Sequence, residues 1–437
     1  MTMTDSFSVP ADNSPPLAAA DAPRLTSFLL ESIEGALALV LRLEGPADLA
    51  LRSYFRSNEK LGRRDRGVIA ETAFDILRNR RRYSHFAEGL RGSLTRRLMV
   101  LSLAARFGEQ VLAVFGLPPE SLLAVRRLLS ADPSSLSQAV RLSLPDWLHA
   151  ELLDQLTRQG EADPVDALEK LGQVLLGPAS FDLRVNLIKT DRKALMGALS
   201  AQGIAAEALA EPATAVRLVG KPAIERLDIF EKGWFEVQDA GSQRLVEFAE
   251  PRRGQTVVDF CAGAGGKTLA MAAAMRSTGQ IYACDVSGAR LQRLKPRLSR
   301  SGASNVQPFG IDTENDPKLK RLAARADLVL VDAPCSGTGT LRRNPELKWR
   351  MQPTSVDELS AVQGSILRAA ARLVKPGGAL VYATCSLLER ENEAVAAAFS
   401  QTHPEFADPV FMHLRPEITQ TDGFFAARWV RAVKRAS

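Results

Sequence analysis

The chain runs to 437 residues, 46% of them hydrophobic and 24% charged; this is ordinary for a globular protein and excludes wholesale disorder. No apolar run approaches the ~20 residues of a membrane span, and the opening MTMTDSFSVPADNSPP lacks the basic-then-apolar order of a secretory signal, so a cytoplasmic protein with no membrane partner is expected. The net charge of +6 is unevenly spread, because residues 51–100 hold 13 Lys/Arg against 5 Asp/Glu, the footprint of a polyanion binder or of a solvated basic helix face.

Residues 1–23, rich in Ser, Pro, Ala and Asp, read as a disordered tail. From Arg24 to about Leu175 the pattern is helical. Val68, Ile69, Thr72, Ala73, Ile76 and Leu77 recur at three- and four-residue steps, with Arg66, Glu71, Asp75 and Arg78 on the other face. Similar stripes run through 24–43, 94–106, 119–130, 146–158 and 163–175, with Pro and Gly mostly between them. An all-helical domain is therefore expected over 24–175. Over 179–235 a small α+β connector is predicted, with strands at 181–187 and 215–219 around a helix at 191–202.

From Thr256 onward, apolar strands alternate with amphipathic helices. Strands are predicted at 256–262, 280–286, 305–312, 326–334 and 378–386, and helices at about 266–276, 288–301, 354–374 and 390–401. The fold class is α/β, a doubly wound Rossmann-like parallel sheet. Such sheets bind ligands outside the carboxyl ends of their strands, so chemistry is expected where each strand stops.

The first strand runs into Cys261-Ala262-Gly263-Ala264-Gly265-Gly266-Lys267, a turn that lets backbone approach a ligand and opens a helix N-terminus. A phosphate-binding P-loop would need glycine five positions before Gly266, where Cys261 stands. The second strand ends at Asp285, about 20 residues on, where a carboxylate can accept both hydroxyls of a ribose. The third ends in Asp312, placed to meet an adenine edge. This series suits an adenosyl group without a pyrophosphate, which is S-adenosylmethionine rather than a dinucleotide. The four cysteines, Cys261, Cys284, Cys335 and Cys385, include no CxxC pair, so no metal site is expected. Two of them, Cys335 after Asp332-Ala333-Pro334 and Cys385 after Thr384, end adjacent predicted strands.

The segments FEVQDAGSQ (235–243), DFCAGAGGKT (259–268), ACDVS (283–287), DAPCSGTGTLRRNPELKW (332–349), LVKPGGALVYATCS (373–386) and DGFFAARWVR (422–431) resemble the RNA cytosine-5 methyltransferases. The likeness is greatest to the bacterial RsmB (Sun/Fmu) branch, which acts on small-subunit ribosomal RNA. It covers about 236–437, the expected catalytic domain, in a class I S-adenosylmethionine-dependent methyltransferase fold. LGRRDRGVIAETAFDILR (61–78) resembles the NusB-like RNA-binding domain of the same branch. In the cofactor turn the family usually has Ala-Pro where this chain has Gly263-Ala264.

The resemblance implies methyl transfer to carbon 5 of a cytidine, with 16S ribosomal RNA as the substrate and partner and a monomeric enzyme. It implies Cys385 as the nucleophile at carbon 6, Cys335 as the residue assisting release, and Asp332 at the ring's N3 and exocyclic amine. DNA cytosine-5 enzymes use the cysteine of a Pro-Cys pair instead, which here would be Cys335. The cofactor set is then Cys261, Ala262, Gly263, Ala264, Gly265, Gly266, Lys267, Asp285, Asp312 and Asp332, with Lys267 positioning Asp332 or the cofactor. Arg342, Arg343, Lys348 and Arg350 are candidates to hold phosphates, and Trp349 either stacks on a base or fills a core. Two other classes stay open on the residues alone: a nucleotide triphosphatase, and a non-catalytic RNA-binding protein retaining the fold.

Overall fold

The computed structural model describes residues 24–220 and 222–433; the tail expected over 1–23 lies outside them. The chain divides into two compact units. One reaches to Pro178 and takes in Leu341–Met351, and the other comprises Ala179–Thr340 and the chain from Gln352 on.

The first unit is helical, as its periodicity predicts. Its main helices are Ser27–Val40, Ala47–Ser57, Arg63–Phe86, Leu94–Phe107, Pro119–Ser130, Asp146–Arg158 and Pro164–Leu176. Local chemistry sets several starts. Thr26, Ser93 and Asp163 each accept a backbone N–H from the first turn of the following helix, and prolines stand at the openings of the helices from Pro119 and Pro164. Ile33, Leu37, Ile69, Ile76, Leu77, Leu98 and Leu101 are fully buried at the centre. Asp75, expected on the solvent face, instead takes hydrogen bonds from Tyr83 Oη (2.8 Å) and Ser102 Oγ (2.5 Å). Burial raises its carboxyl above the ordinary value.

Leu341–Met351 departs from the sequence-based division, which left it in the catalytic domain. It packs into the helical unit. Lys348 is buried, and its Nζ donates to the Arg78 carbonyl (2.7 Å). Trp349 Nε1 donates to the Leu77 carbonyl (2.7 Å), and its ring joins the helical core beneath Arg80. Lys348 is thus withdrawn from solvent, while Trp349, half-buried, takes the core place that was one of its two expected roles. Arg342 donates to the Pro178 carbonyl (2.8 Å).

In the second unit, the predicted connector is an antiparallel sheet in the order Ala206–Ala208, Ala215–Leu218, Phe181–Val185, Phe235–Val237, with the helix Arg192–Ala201 beside it. It forms one compact body with the larger sheet. Arg184 Nη1 donates to the Gly266 carbonyl (2.9 Å), and Glu236 pairs with Arg297 (2.9 Å) and with Arg300.

The larger sheet has seven strands: β1 (Thr256–Asp259), β2 (Gln280–Asp285), β3 (Val306–Gly310), β4 (Ala326–Asp332), β5 (Val374–Thr384), β6 (Val410–Leu414) and β7 (Phe424–Val430). Their order is β6-β7-β5-β4-β1-β2-β3. Strands β1 to β5 are parallel, so β1, β2, β4 and β5 end along one edge. The predicted parallel sheet omitted β6 and β7, which pair antiparallel with each other, β7 also pairing antiparallel with β5. The connection between β6 and β7 is too short for a parallel crossover, which needs a dozen or more residues. Five of the seven β7 residues are buried, so the strand shows no inside–outside alternation to reveal it.

Candidate active site

The turn after β1 is shaped by its glycines. Gly263 and Gly265 take φ of +56° and +83°, a region where any other side chain is strained. The Gly263 N–H donates to Asp285 Oδ2 (2.8 Å) and the Ser287 N–H to Asp285 Oδ1 (2.7 Å). The acid ending β2 thus stitches the glycine turn to the next strand while facing the cavity between them.

That cavity, about 760 Å³, is walled by Cys261, Ala262, Gly263, Ala264, Gly266 and Lys267, by Asp259, Asp285 and Asp332, and by Ile311, Glu314 and Phe424 among others. Most of the sequence-predicted cofactor set therefore converges on one space. Asp312 does not. Its strand stops at Gly310, and the side chain is 90% exposed, 3.6 Å from Lys318. Its backbone N–H is held by Asp316 Oδ2 (2.8 Å), and Ile311 and Glu314 take the place at the wall expected for it. Gly265 turns its Cβ position into Leu294 at 2.2 Å, so it serves helix packing beneath the turn.

Three carboxylates give the cavity its character. Asp259 is fully buried; Thr268 Oγ1 donates to its Oδ2 (2.6 Å), while Oδ1 has no partner among the described residues. Burial, with the nearby Asp332 adding to it against the Thr268 hydrogen bond, raises its carboxyl to about 7. Burial and the surrounding acids likewise push the Cys261 thiol well up. Lys267 is committed to Asp332 (Nζ–Oδ2 2.6 Å) and lies 5.5 Å from the Phe424 ring centroid. Burial alone would lower its ammonium, but Asp332, then Cys385 and Asp259, hold it above the ordinary value. An acidic cavity with an orphaned carboxylate oxygen fits a cationic sulfonium and ribose hydroxyls. It does not fit a triphosphate, for which the P-loop lysine would have to be free.

The two cysteines meet beside this wall. β4 and β5 pair with Asp332 opposite Ala383, so the chain segments leaving both strands run together. The sulfur atoms of Cys335 and Cys385 lie 3.4 Å apart, each partly exposed. Gly339 closes the arrangement from below, donating its N–H to the Cys385 carbonyl (2.9 Å); a Cβ there would sit 2.3 Å from the Gly423 carbonyl oxygen. The hydrogen bond with Cys385, burial and the neighbouring acid Glu391 push the Cys335 thiol well above its usual range. Cys284, by contrast, is an ordinary buried packing residue of the core.

Sequence reading missed Glu391, which holds both cysteine-bearing loops from behind. It stands six residues after Cys385 in a stretch predicted as helix. The chain there is a short 3-10 turn, Glu389–Glu391, ahead of the helix Glu393–Thr402. An acid so near a strand end was the available signal.

A family profile described as 16S rRNA methyltransferase RsmB/F matches residues 246–429. The probable ribosomal RNA small subunit methyltransferase B of Synechocystis sp. is 37% identical over 287 residues, 65% of this chain and 63% of that protein. The ribosomal RNA small subunit methyltransferase B of Sodalis glossinidius is 35% identical over 321 residues, 70% of this chain and 71% of its own length. The match thus spans about two thirds of these relatives. Among solved structures, the crystal structure of PH0851 superposes with a TM-score of 0.74 at 25% identity, covering 93% of this chain and 99% of that one.

Proposed function

The chain belongs to the RsmB/F family of 16S rRNA methyltransferases, and from that premise we propose that it methylates carbon 5 of a cytidine in small-subunit ribosomal RNA through a covalent cysteine adduct. Its cofactor is S-adenosylmethionine, and the residues that would hold it are the 261–267 turn, Asp285 and the acidic floor of the cavity. The observation that carries the reading is the pair of thiols 3.4 Å apart at the ends of β4 and β5, beside the Lys267–Asp332 ion pair.

When bound, the cofactor supplies an electrophilic methyl group. Carbon 5 of cytosine is a weak nucleophile until a thiolate adds at carbon 6, which is the task of Cys385. Asp332, oriented by Lys267, receives the ring at N3 and the exocyclic amine and assists electron flow into it. After transfer, the proton on carbon 5 passes to solvent water, the electrons of that C–H bond re-form the ring double bond, and the Cys385 sulfur departs as a thiolate. Cys335 suits the release step, since its surroundings keep the sulfur protonated and place it 3.4 Å from the departing one. The target base must be unpaired or flipped out to reach these groups. The helical unit supplies the basic surface for RNA phosphates.

The test compares two variants on a denaturing gel with unmodified RNA. Cys385→Ala should neither methylate nor crosslink. Cys335→Ala should transfer the methyl group and then stall as a protein–RNA adduct that needs S-adenosylmethionine to accumulate. An adduct in Cys385→Ala would exchange the two roles, and full activity in both variants would end the proposal.

A further inference from the structure

Glu391 performs none of the steps above, yet its environment is the most densely bonded in the site. Its side chain is fully buried. Oε1 accepts the Ser336 N–H (2.8 Å) and Gln363 Nε2 (3.0 Å), while Oε2 accepts the hydroxyls of Ser336 and Ser386, each at 2.5 Å. Ser336 directly follows Cys335, and Ser386 directly follows Cys385. One carboxylate therefore grips the residue after each thiol.

A buried carboxylate is a costly way to fill space, and it is tolerated only when hydrogen bonds replace its lost water. Here four donors fill its roughly four acceptor positions. Bonds to a charged acceptor are shorter and about twice as strong as neutral ones, so the two loops are held by the stiffest polar joint available. The surroundings brace the same joint. The Glu391 carbonyl accepts from Tyr382 Oη (2.5 Å), and Asn392 Nδ2 donates to the Ser386 carbonyl (3.0 Å).

We propose that Glu391 is a positioning residue whose carboxylate, by bridging Ser336 and Ser386, sets the separation of the Cys335 and Cys385 sulfurs. The inference rests on the catalytic reading of the two thiols for its purpose, but the spacing can be tested without RNA or cofactor. Thiols held this close form an intramolecular disulfide with glutathione disulfide. One protein thiolate attacks and releases one glutathione, and the second displaces the other; two protein thiols are oxidised and one glutathione disulfide is reduced to two thiols.

The experiment equilibrates the full chain in glutathione buffers and quantifies the 335–385 disulfide by mass mapping, for the natural chain and for Glu391→Gln. The variant keeps the shape but turns one acceptor into a donor facing donors. Its closure constant is expected to fall about tenfold or more, because effective concentration drops steeply when reacting atoms are no longer held together. Its kcat for RNA methylation should fall on the order of 100-fold, with the KM for RNA and the dissociation constant of S-adenosylmethionine little changed. If Glu391→Gln does not fold, Ser336→Ala and Ser386→Ala each remove one arm and should lower closure by a smaller factor. Closure in the variant equal to that of the natural chain overturns the proposal, as does a natural pair that never closes. A closure defect in a chain that shows no methylation of any RNA would instead uphold the spacing role and defeat the catalytic reading.

Discussion

Asp285 uses an oxygen on each of two backbone amides, those of Gly263 and Ser287, so its side chain shapes the turn as well as facing the cavity. Asp285→Ala should raise the dissociation constant of S-adenosylmethionine by about tenfold or more, since ribose hydroxyls lose a charged acceptor, and leave RNA affinity almost unmoved. Isothermal titration of the variant checks this, and normal cofactor affinity would remove Asp285 from the site. Asp259 makes a different kind of statement. Burial lifts its carboxyl from 3.8 to about 7. Between those values the folded chain holds a proton that the unfolded chain has lost, so this group's contribution is intact below about pH 4 and is lost as pH rises through about 7. Asp259→Asn stays neutral throughout. Its stability relative to the natural chain should therefore grow on the order of 4 kcal/mol between pH 4 and pH 8, read from urea midpoints across that range. A flat difference would show that Asp259 ionises normally.

At the scale of elements, the segment Leu341–Met351 is the instructive one. It follows the Cys335 loop in sequence, and its basic and aromatic residues look like an RNA contact, but it is an insert seated in the helical unit. The helix Arg63–Phe86 offers it carbonyls with a spare lone pair, and Trp349 and Lys348 take those of Leu77 and Arg78. Burial, and then Arg78, lower the Lys348 ammonium to about 7, which a phosphate-binding lysine would not tolerate. Trp349→Phe should cost about 1 kcal/mol for the lost indole hydrogen bond, and Trp349→Ala about 3 kcal/mol. RNA affinity should be the same in the natural chain and Trp349→Phe. A filter-binding measurement showing a large loss would restore the stacking role.

Over the whole molecule, the basic excess of 51–100 is divided by the fold into two populations. Arg78 and Arg81 are internal fasteners: Arg78 donates to the Arg342 carbonyl (3.1 Å), and Arg81 spans the Leu144 carbonyl and Asp146, each at 2.6 Å. Arg52, Arg56, Lys60, Arg63 and Arg64 are exposed around the turn between the helices Ala47–Ser57 and Arg63–Phe86. If that surface meets RNA phosphates, neutralising Arg63 and Arg64 together should reduce the slope of log affinity against log salt by about 1.4 for single-stranded RNA. Arg81→Gln should lower the melting temperature and leave the slope alone. Equal slopes in the natural chain and the double variant would make the patch a solvated surface.

The sequence by itself determined what is local. Alternating apolar strands and amphipathic helices from Thr256 to Thr402, the glycine turn, and the acids and thiols at strand ends were all legible, because hydrophobic period and turn chemistry act over a few residues. Its local pattern also carried most of the helices from Ser27 to Leu176, although no stripe marked Ala47–Ser57. What it could not decide is what pairs across long separations. The carbonyls that receive Lys348 and Trp349 lie about 270 positions away, and the strand Phe424–Val430, buried along most of its length, carries no period of its own. Asp312 reads as a strand-end acid, yet its strand stops two residues early and leaves it in water. Glu391 reads as one charge in the run ERENE and becomes the buried joint between two loops. In each case the deciding quantity is which groups lose their water together, and burial is a property of the assembled chain.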